Sequence, residues 1–551
     1  MKILGLTSPI SYNSAAATLV DGRLIATVEE ERYVHVKHAP RMLPTQATQY
    51  CLREAETSLE EVDLLAIGHE RPREHAAGFL REFLLGRFGL SPLTIEGELG
   101  FLSTHYFGTR NLFGRMVPDK SKVRFVEHHL AHAASAFFCS PFDRAAILVL
   151  DGRGGFASGM LAVGEGAAIR VLRRIPVGQS LGILYEAVTE ILGFRKHSEE
   201  GKVMGLAAYA QDEKTRPFEF LHRRDGAPPR IDEAAAREYF RSIPHRRAGE
   251  EIRDEHKELS ARLQATLEAA GHGWVDFLLR ETGSKNLCLA GGVALNCSMN
   301  GKFSKRPDVE GFFVQPASSD AGTALGAALC AHARETGKRP EFVMEHACWG
   351  PQYSDAEIED AIRKSKIAKF EKCSDIAART AELLSQGKIF AWFQGRCEVG
   401  PRALGARSIL AHPGLPEMKD KVNKEVKWRE PWRPFAPSIQ EEKIQEFVEA
   451  PRKSPFMLVA FQANENGKKK IPAAVHVDGT CRVQTVSKKH QPLYWKLLEE
   501  MEKRTGAAAV LNTSFNVKGQ PIVLTPFEAI STFYSCGLDY LAMGSFLISK
   551  T

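Results

Sequence analysis

Apolar runs that end in a polar or glycine-rich loop and continue as a helix recur along this chain. They limit its architecture more than any other feature. "AAILVLDGRGG" ends in Asp151 and a glycine loop, and "NLCLAGGVALN" and "GFFVQPASSDAGTALGAALCAHA" each read as strand, loop, then helix. Units of this kind build α/β domains, whose sites gather at strand C-termini. The first 150 residues fit the same scheme. "KILGLTS" is a strand, and "AAATLVDGRLIATVEEE" is two β-like runs about Asp21-Gly22, a hairpin signal. "PTQATQYCLREA" is an amphipathic helix, "VDLLAIG" a strand, and "KVRFVEHH" a strand leading into the helix "LAHAASAFF". No exact internal repeat stands out.

A chain of 551 residues is too long for one core. Periodicity fades over 333–352, which carry Gly and Pro, and the domain boundary is placed there: 1–345 and 346–551. The second domain has the strands "KIFAWFQG" and "GAAAVLNTSFN". It also has a helix start with Thr525 as N-cap, Pro526 at the first position and Glu528 at the third. Residues 241–262 read as the charged, solvated face of a helix. A net charge of +6 with no basic arm does not suggest nucleic-acid binding. The ten cysteines are scattered and none forms a C-x-x-C pair. The start lacks a signal-peptide pattern and no apolar run is membrane-length, so a cytoplasmic protein with reduced thiols and no membrane partner is expected.

"EHHLAHA" places His128, His129 and His132 within five positions. On a helix, residues three and four apart share a face, so His132 pairs with either of the others as a half-site for a transition metal. Asp151 and Asp320 lie where α/β domains collect site residues. Each has a plainer reading: Asp151 as a turn opener, Asp320 as a helix cap.

Taken together, "EHHLAHAASAF", "VLDGRGG", "EEGKVMGLAAYA", "LAGGVALN" and "QPASSDAGTALGAAL" resemble the amino-terminal domain of the O-carbamoyltransferases. That family includes nodulation protein U, cephem carbamoyltransferase and the tobramycin carbamoyltransferase. "GRCEVGPRALGARSILA", "VKWREPWRPFAPS", "HVDGTCRVQTV" and "LNTSFNVKGQPIVLTPFEA" extend the likeness over nearly the whole chain. The resemblance implies an α/β protein of two domains. The first is threonylcarbamoyl-transfer-like, with an actin/Hsp70-like ATPase core. The second is a YrdC-like domain that forms acyl-adenylates.

The implied activity is ATP-dependent O-carbamoyl transfer to a hydroxyl of a small natural-product or sugar-type acceptor, with no nucleic-acid partner. The family's metal ligands carry over to His128, His132, Asp151 and Asp320, and leave His129 to pack elsewhere. Iron, as Fe(II), is the family's usual metal, and this donor set also admits zinc or manganese. Carbamate is a poor acyl donor until it is joined to AMP. The resemblance assigns that step, from carbamoyl phosphate and ATP with Mg(II), to the second domain. Two anionic substrates there need cations. Lys427, Arg433, Arg482, Ser514 and Asn516 are the leading candidates, and Arg402, Arg407 and Arg429 are further cations. Gly154, Gly155, Gly291 and Gly292 would let backbone N–H groups approach phosphate, and Glu200, Lys202 and Asn296 are weaker nucleotide or acyl contacts.

Many members carry "HDSAAA" near the start, with the histidine as the natural base for the acceptor. Here Tyr12 and Asn13 stand in place of His-Asp. Tyrosine, with a pKa of about 10, is a poor base near neutrality. Three readings follow: a more acidic or metal-activated acceptor, a different base such as His38, or altered transfer. The competing functions are a nucleotide-binding regulatory protein that has lost transfer and a tRNA-adenosine carbamoylating enzyme. The acceptor's identity stays open, and a homodimer is compatible with the sequence.

Overall fold

The computed structural model of the chain describes residues 1–85, 95–117, 119–210, 212, 214–223 and 226–550. It forms two compact units. One comprises Met1–Glu30 and His38–Met344, the other Glu31–Lys37 and Glu345–Thr551.

The first unit contains two five-stranded sheets of the same topology. In the first, β1 (Lys2–Leu6), β2 (Ala15–Val20) and β3 (Arg23–Glu29) are antiparallel neighbours in the order β3-β2-β1. The sheet then continues from β1 in parallel through Leu64–Ile67 to Val123–Phe125. Asp21 and Gly22 both take positive φ at the β2–β3 turn, as a two-residue hairpin requires. In the second sheet, Arg144–Gly154, Ala157–Glu165 and Ala168–Pro176 form the antiparallel half. Asn286–Ala290 and Gly311–Val314 continue it in parallel. A ββ-hairpin pair followed by two parallel crossovers is thus built twice, with no exact sequence repeat to announce it.

Two helices join the sheets. His128–Phe137 packs on the second sheet; Ala321–Thr336 packs on the first and against His128–Phe137. Their contact is close because of Gly326, where a Cβ would stand 1.8 Å from the Ala131 carbonyl oxygen. Every residue of His128–Phe137 is buried, which suits its alanine-rich sequence.

Three local readings need correction. The strand expected to end at Asp151 runs on to Gly154, with its register shifted after Leu150. The strand expected through His129 stops at Phe125, and the histidines open the helix. Residues 241–262 are not one solvated helix face. The helix begins at Asp254, and before it Arg246 is buried, donating to the Leu192 and Glu250 carbonyls and stacking on Phe194.

The second unit is built on an eight-stranded mixed sheet. Its order is Phe370–Lys372, Phe546–Ser549, Tyr540–Met543, Phe390–Phe393, Arg407–Ala411, Ala509–Ser514, Ala436–Gln440 and Gln484–Val486. Period-two alternation fills both faces. Phe390 and Trp392 join the core under helices Ile376–Ser385 and Pro492–Thr505, while Ala391 and Phe393 join the opposite core. Trp392 is fully buried, and its indole N–H donates to the Gly405 carbonyl at 2.9 Å. Thr525 caps helix Pro526–Ser535, its hydroxyl accepting from the Glu528 N–H. Among the described residues no helix is long and apolar enough to cross a membrane, and all ten cysteines are free thiols.

Candidate functional site

In the first unit, His128 and His132 project from the first turns of their helix. Asp151 comes from the irregular end of its strand, and Asp320 from just before helix Ala321–Thr336. One ligand atom from each of the four lies within 4.8 Å of the others. His128 Nε2 is 3.2 Å from His132 Nε2 and 3.2 Å from Asp151 Oδ2. His132 Nε2 is 3.9 Å from both carboxylates. Donors bound to one ion at about 2.1 Å are separated by roughly 3–3.5 Å, which the 3.2 Å pairs match and the 3.9 Å pairs exceed by a small side-chain shift. Two imidazoles and two carboxylates suit iron, zinc or manganese.

Charge binds the group tightly. Burial opposes a proton on His128, but the hydrogen bond to Asp151 and the charges of Asp320 and Asp151 lift its pKa to about 9. Burial and His128 push His132 down to about 3. The Asp151 carboxyl is held below its usual range: burial would raise it, and the histidines outweigh burial. Burial raises Asp320. Asp320 makes no side-chain cap to its helix; it accepts from the Tyr12 N–H at 2.7 Å.

The glycines serve this cluster. Gly292 N–H donates to Asp151 Oδ1 at 3.0 Å, and Gly291, at φ +87°, passes 2.1 Å from the Leu150 carbonyl as measured from an added Cβ. A Cβ at Gly154 would strike the His128 ring, and one at Gly155 would strike Glu70. The absence of a side chain at 154 and 155 leaves room for His128 and Glu70. His129 is buried with both ring nitrogens unpartnered among the described residues.

Tyr12 lies between two imidazoles, with His38 at 5.0 Å and His197 at 4.7 Å between ring centroids. Burial raises its phenol above the ordinary 10.0, so it keeps its proton. His197 was not anticipated. Its Nδ1 sits 2.9 Å from Glu186 Oε1, a pairing that raises its pKa. Its positive φ of 61° places a non-glycine residue in left-handed backbone. Asn13 Nδ2 meets His38 Nδ1 at 3.0 Å. Glu200 lies near this group, and burial raises its pKa. Lys202 pairs instead with Glu199 and lies over Phe194, and Asn296 caps its helix and bonds Gln264. Those partners tie both side chains into the fold.

In the second unit a π-helical turn, Asn423–Lys427, ends at Trp428 in left-handed backbone. Such turns often mark functional sites. It delivers the buried Lys427 Nζ to the carbonyl oxygens of Ser514 and Asn516 and to Asn516 Oδ1 at 2.8 Å. The Ser514 hydroxyl donates to the same Oδ1 at 2.8 Å. Burial, then Arg429 and Arg433, holds Lys427 well below the usual lysine range. Arg429 is lowered by burial and by Arg433 and Arg482, and lies over Phe435. Arg482 Nε is buried without a hydrogen-bond partner among the described residues. Four cations therefore crowd together, an arrangement that an anion would relieve. Arg407 is fully buried and gives its guanidinium to the carbonyls of Gln394, Gly395, Ala406 and Pro351, so it holds the loop. Arg402 is half-buried on the same loop.

The carbamoyltransferase N-terminus model matches residues 2–329 and the carbamoyltransferase C-terminus model residues 381–550. The chain belongs to the carbamoyltransferase family. It is a transferase of carbamoyl groups. Nodulation protein NolNO of Sinorhizobium fredii is 40% identical over 99% of this chain and 80% of its own length. Nodulation protein NolO of Bradyrhizobium diazoefficiens is 40% identical over 77% of this chain and 79% of its own. Among solved structures, full-length HypF in its phosphate- and nucleotide-bound form covers 61% of this chain and 56% of its own, at 14% identity and TM-score 0.38.

Proposed function

We propose that this carbamoyltransferase works in two steps on two sites, and carbamoylates a hydroxyl of a small natural-product or sugar-type acceptor. In the second unit, carbamoyl phosphate and water give carbamate and phosphate. Carbamate oxygen then attacks the α-phosphorus of ATP, and pyrophosphate leaves. The observation that carries this reading is the cluster of Lys427, Arg429, Arg433 and Arg482 beside Ser514 and Asn516. Cations held in place before substrate arrives neutralise the phosphates without reorganising. Mg(II) would accompany ATP. The second unit is read as the YrdC-like adenylate-forming domain, 346–551, and the first as the actin-like transfer domain, 1–345. The doubled sheet topology supports the latter.

In the first unit the acceptor oxygen attacks the carbamoyl carbon and AMP departs. His128, His132, Asp151 and Asp320 would hold the divalent ion, iron by family resemblance, which supplies Lewis acidity toward the carbamoyl oxygen or phosphate. Tyr12, kept protonated, donates a hydrogen bond. His197 takes the acceptor proton, oriented by Glu186. The imidazole absent from position 12 is thus supplied from residue 197, packed on the same ring.

Pyrophosphate release from ATP, without acceptor, tests the first step. It is expected to need carbamoyl phosphate, and to fall by about 10²–10³ in Lys427→Ala, the loss typical of one preorganised charge-stabilising group. Release that ignores carbamoyl phosphate, or that survives in Lys427→Ala, would remove this site from the reaction.

A further inference from the structure

A second histidine cluster borders the first. His69 follows the strand Leu64–Ile67, His75 lies on helix Pro72–Leu84, and His105 on helix Ile95–Met116. They are 3%, 1% and 0% exposed. Ring centroids are 4.9 Å apart for His69–His105, 5.8 Å for His75–His105 and 6.4 Å for His69–His75. The His69 ring is 5.5 Å from that of His128.

These imidazoles lack what buried histidines normally have. Both ring nitrogens of His75 and of His105, and Nδ1 of His69, are buried without a hydrogen-bond partner among the described residues. Glu70 Oε2 is also buried without one, 3.2 Å from His69 Nδ1 in poor hydrogen-bond geometry. Glu98 lies 3.9 Å from His75 Nε2 but is already taken by Arg153. Gly155 leaves Glu70 its place, since a Cβ there would lie 2.1 Å from Glu70 Oε1. Phe101 and Phe156 wall the cluster at 5.1 and 4.9 Å from the His75 ring. So many orphaned polar atoms in a native interior call for a bound partner.

We propose that His69, His75, His105 and Glu70 bind a second divalent transition-metal ion beside the first centre. Two imidazoles on one tetrahedral ion, with bonds of about 2.1 Å, place their ring centroids roughly 5–6 Å apart, and the three here bracket that range. Among the described residues only His128, His132, Asp151 and Asp320 already converge within 4.8 Å. The second set closes by turning its rings about χ2, a soft torsion in histidine. Burial lowers the His75 pKa to about 4 and that of His105 to about 3, leaving the neutral rings that a metal requires. Three neutral imidazoles and one carboxylate favour zinc, cobalt or iron over magnesium or calcium. Both centres are built by one unit, with the His69 and His128 rings in contact between them.

The test is metal stoichiometry on the full chain, stripped with a chelator, loaded with Co2+ or Zn2+, desalted and counted by elemental analysis. Two equivalents per chain are expected for the wild type, one for His105→Ala or His75→Ala, one for His132→Ala, and none for His105→Ala with His132→Ala. The proposal is overturned if His105→Ala and His75→Ala, folded by circular dichroism, bind as much metal as the wild type. Should those variants fail to fold, His132→Ala decides: one retained equivalent supports the site and none overturns it. The count needs no substrate, so it stands apart from the reading of the reaction. A wild type with one equivalent, removed by His105→Ala and spared by His132→Ala, would establish this site and refute the first.

Discussion

Tyr12 stands where the resemblance calls for a base, and burial makes it a worse one by raising its pKa. His197 stands against it, with the Glu186 carboxylate on its Nδ1. The Glu186 hydrogen bond is the largest influence on His197 and raises its pKa above 6.5. A general base works deprotonated. Transfer should therefore rise with pH through a pKa above 6.5, and Glu186→Gln should move that limb to lower pH. His197→Ala should cost about 10²–10⁴ in transfer, the usual worth of a general base, and leave pyrophosphate release intact. An unmoved pH limb in Glu186→Gln would discard the assignment, and acceptor kcat/KM against pH is the measurement. The sequence supplied the puzzle here but not the answer. Residues 12 and 197 are far apart in the chain, and "FRKHSEE" offers no spacing that would single out its histidine. The same limit hid His69, His75 and His105, which come from a strand end and two helices. The four metal-ligand candidates were legible through the family resemblance; helical spacing alone left both His128 and His129 as partners for His132.

At the scale of elements, the first centre depends on how closely two helices cross. His128 and His132 ride on one, and Asp320 precedes the other. Gly326 sets the separation, because a methyl there would meet the Ala131 carbonyl. Gly326→Ala should force the helices apart, destabilising the first unit by about 1–3 kcal/mol as overpacked cores do. It should also weaken metal binding, since the ligands move with their helices. Chemical denaturation and metal titration together check this; normal stability with unchanged metal affinity would dissociate the crossing from the site. Elements with a strong local signal were readable from sequence. The Asp21-Gly22 hairpin and the Thr525 cap follow from turn and capping chemistry within a few residues. The overrun of the strand past Asp151 was not readable, because its register shift depends on pairing with Ala157–Glu165. Nor was the buried Arg246, whose partners Leu192 and Phe194 lie some fifty residues away.

At the scale of the molecule, the duplicated sheet of the first unit was invisible as a repeat. Topology is set by the order and pattern of apolar runs, which many unrelated residues satisfy, so two copies need share no motif. Each unit owns a core and each candidate site lies inside one unit. Unfolding then need not be two-state. Ligands should act on their own unit by mass action. At about 100 times its Kd a ligand adds about 2.7 kcal/mol, which for a unit of about 200 residues is roughly 5–10 °C. ATP with carbamoyl phosphate should raise the transition of the second unit, and Lys427→Ala should abolish that shift. Chelation should lower the transition of the first unit, His132→Ala should remove part of the response, and His105→Ala with His132→Ala all of it. Calorimetry of the full chain, with hydrogen exchange assigning each transition to its unit, would read both. If Lys427→Ala abolished the metal response, or His132→Ala the nucleotide response, the two sites would share one cooperative body, and the division of labour between the units would have to be redrawn.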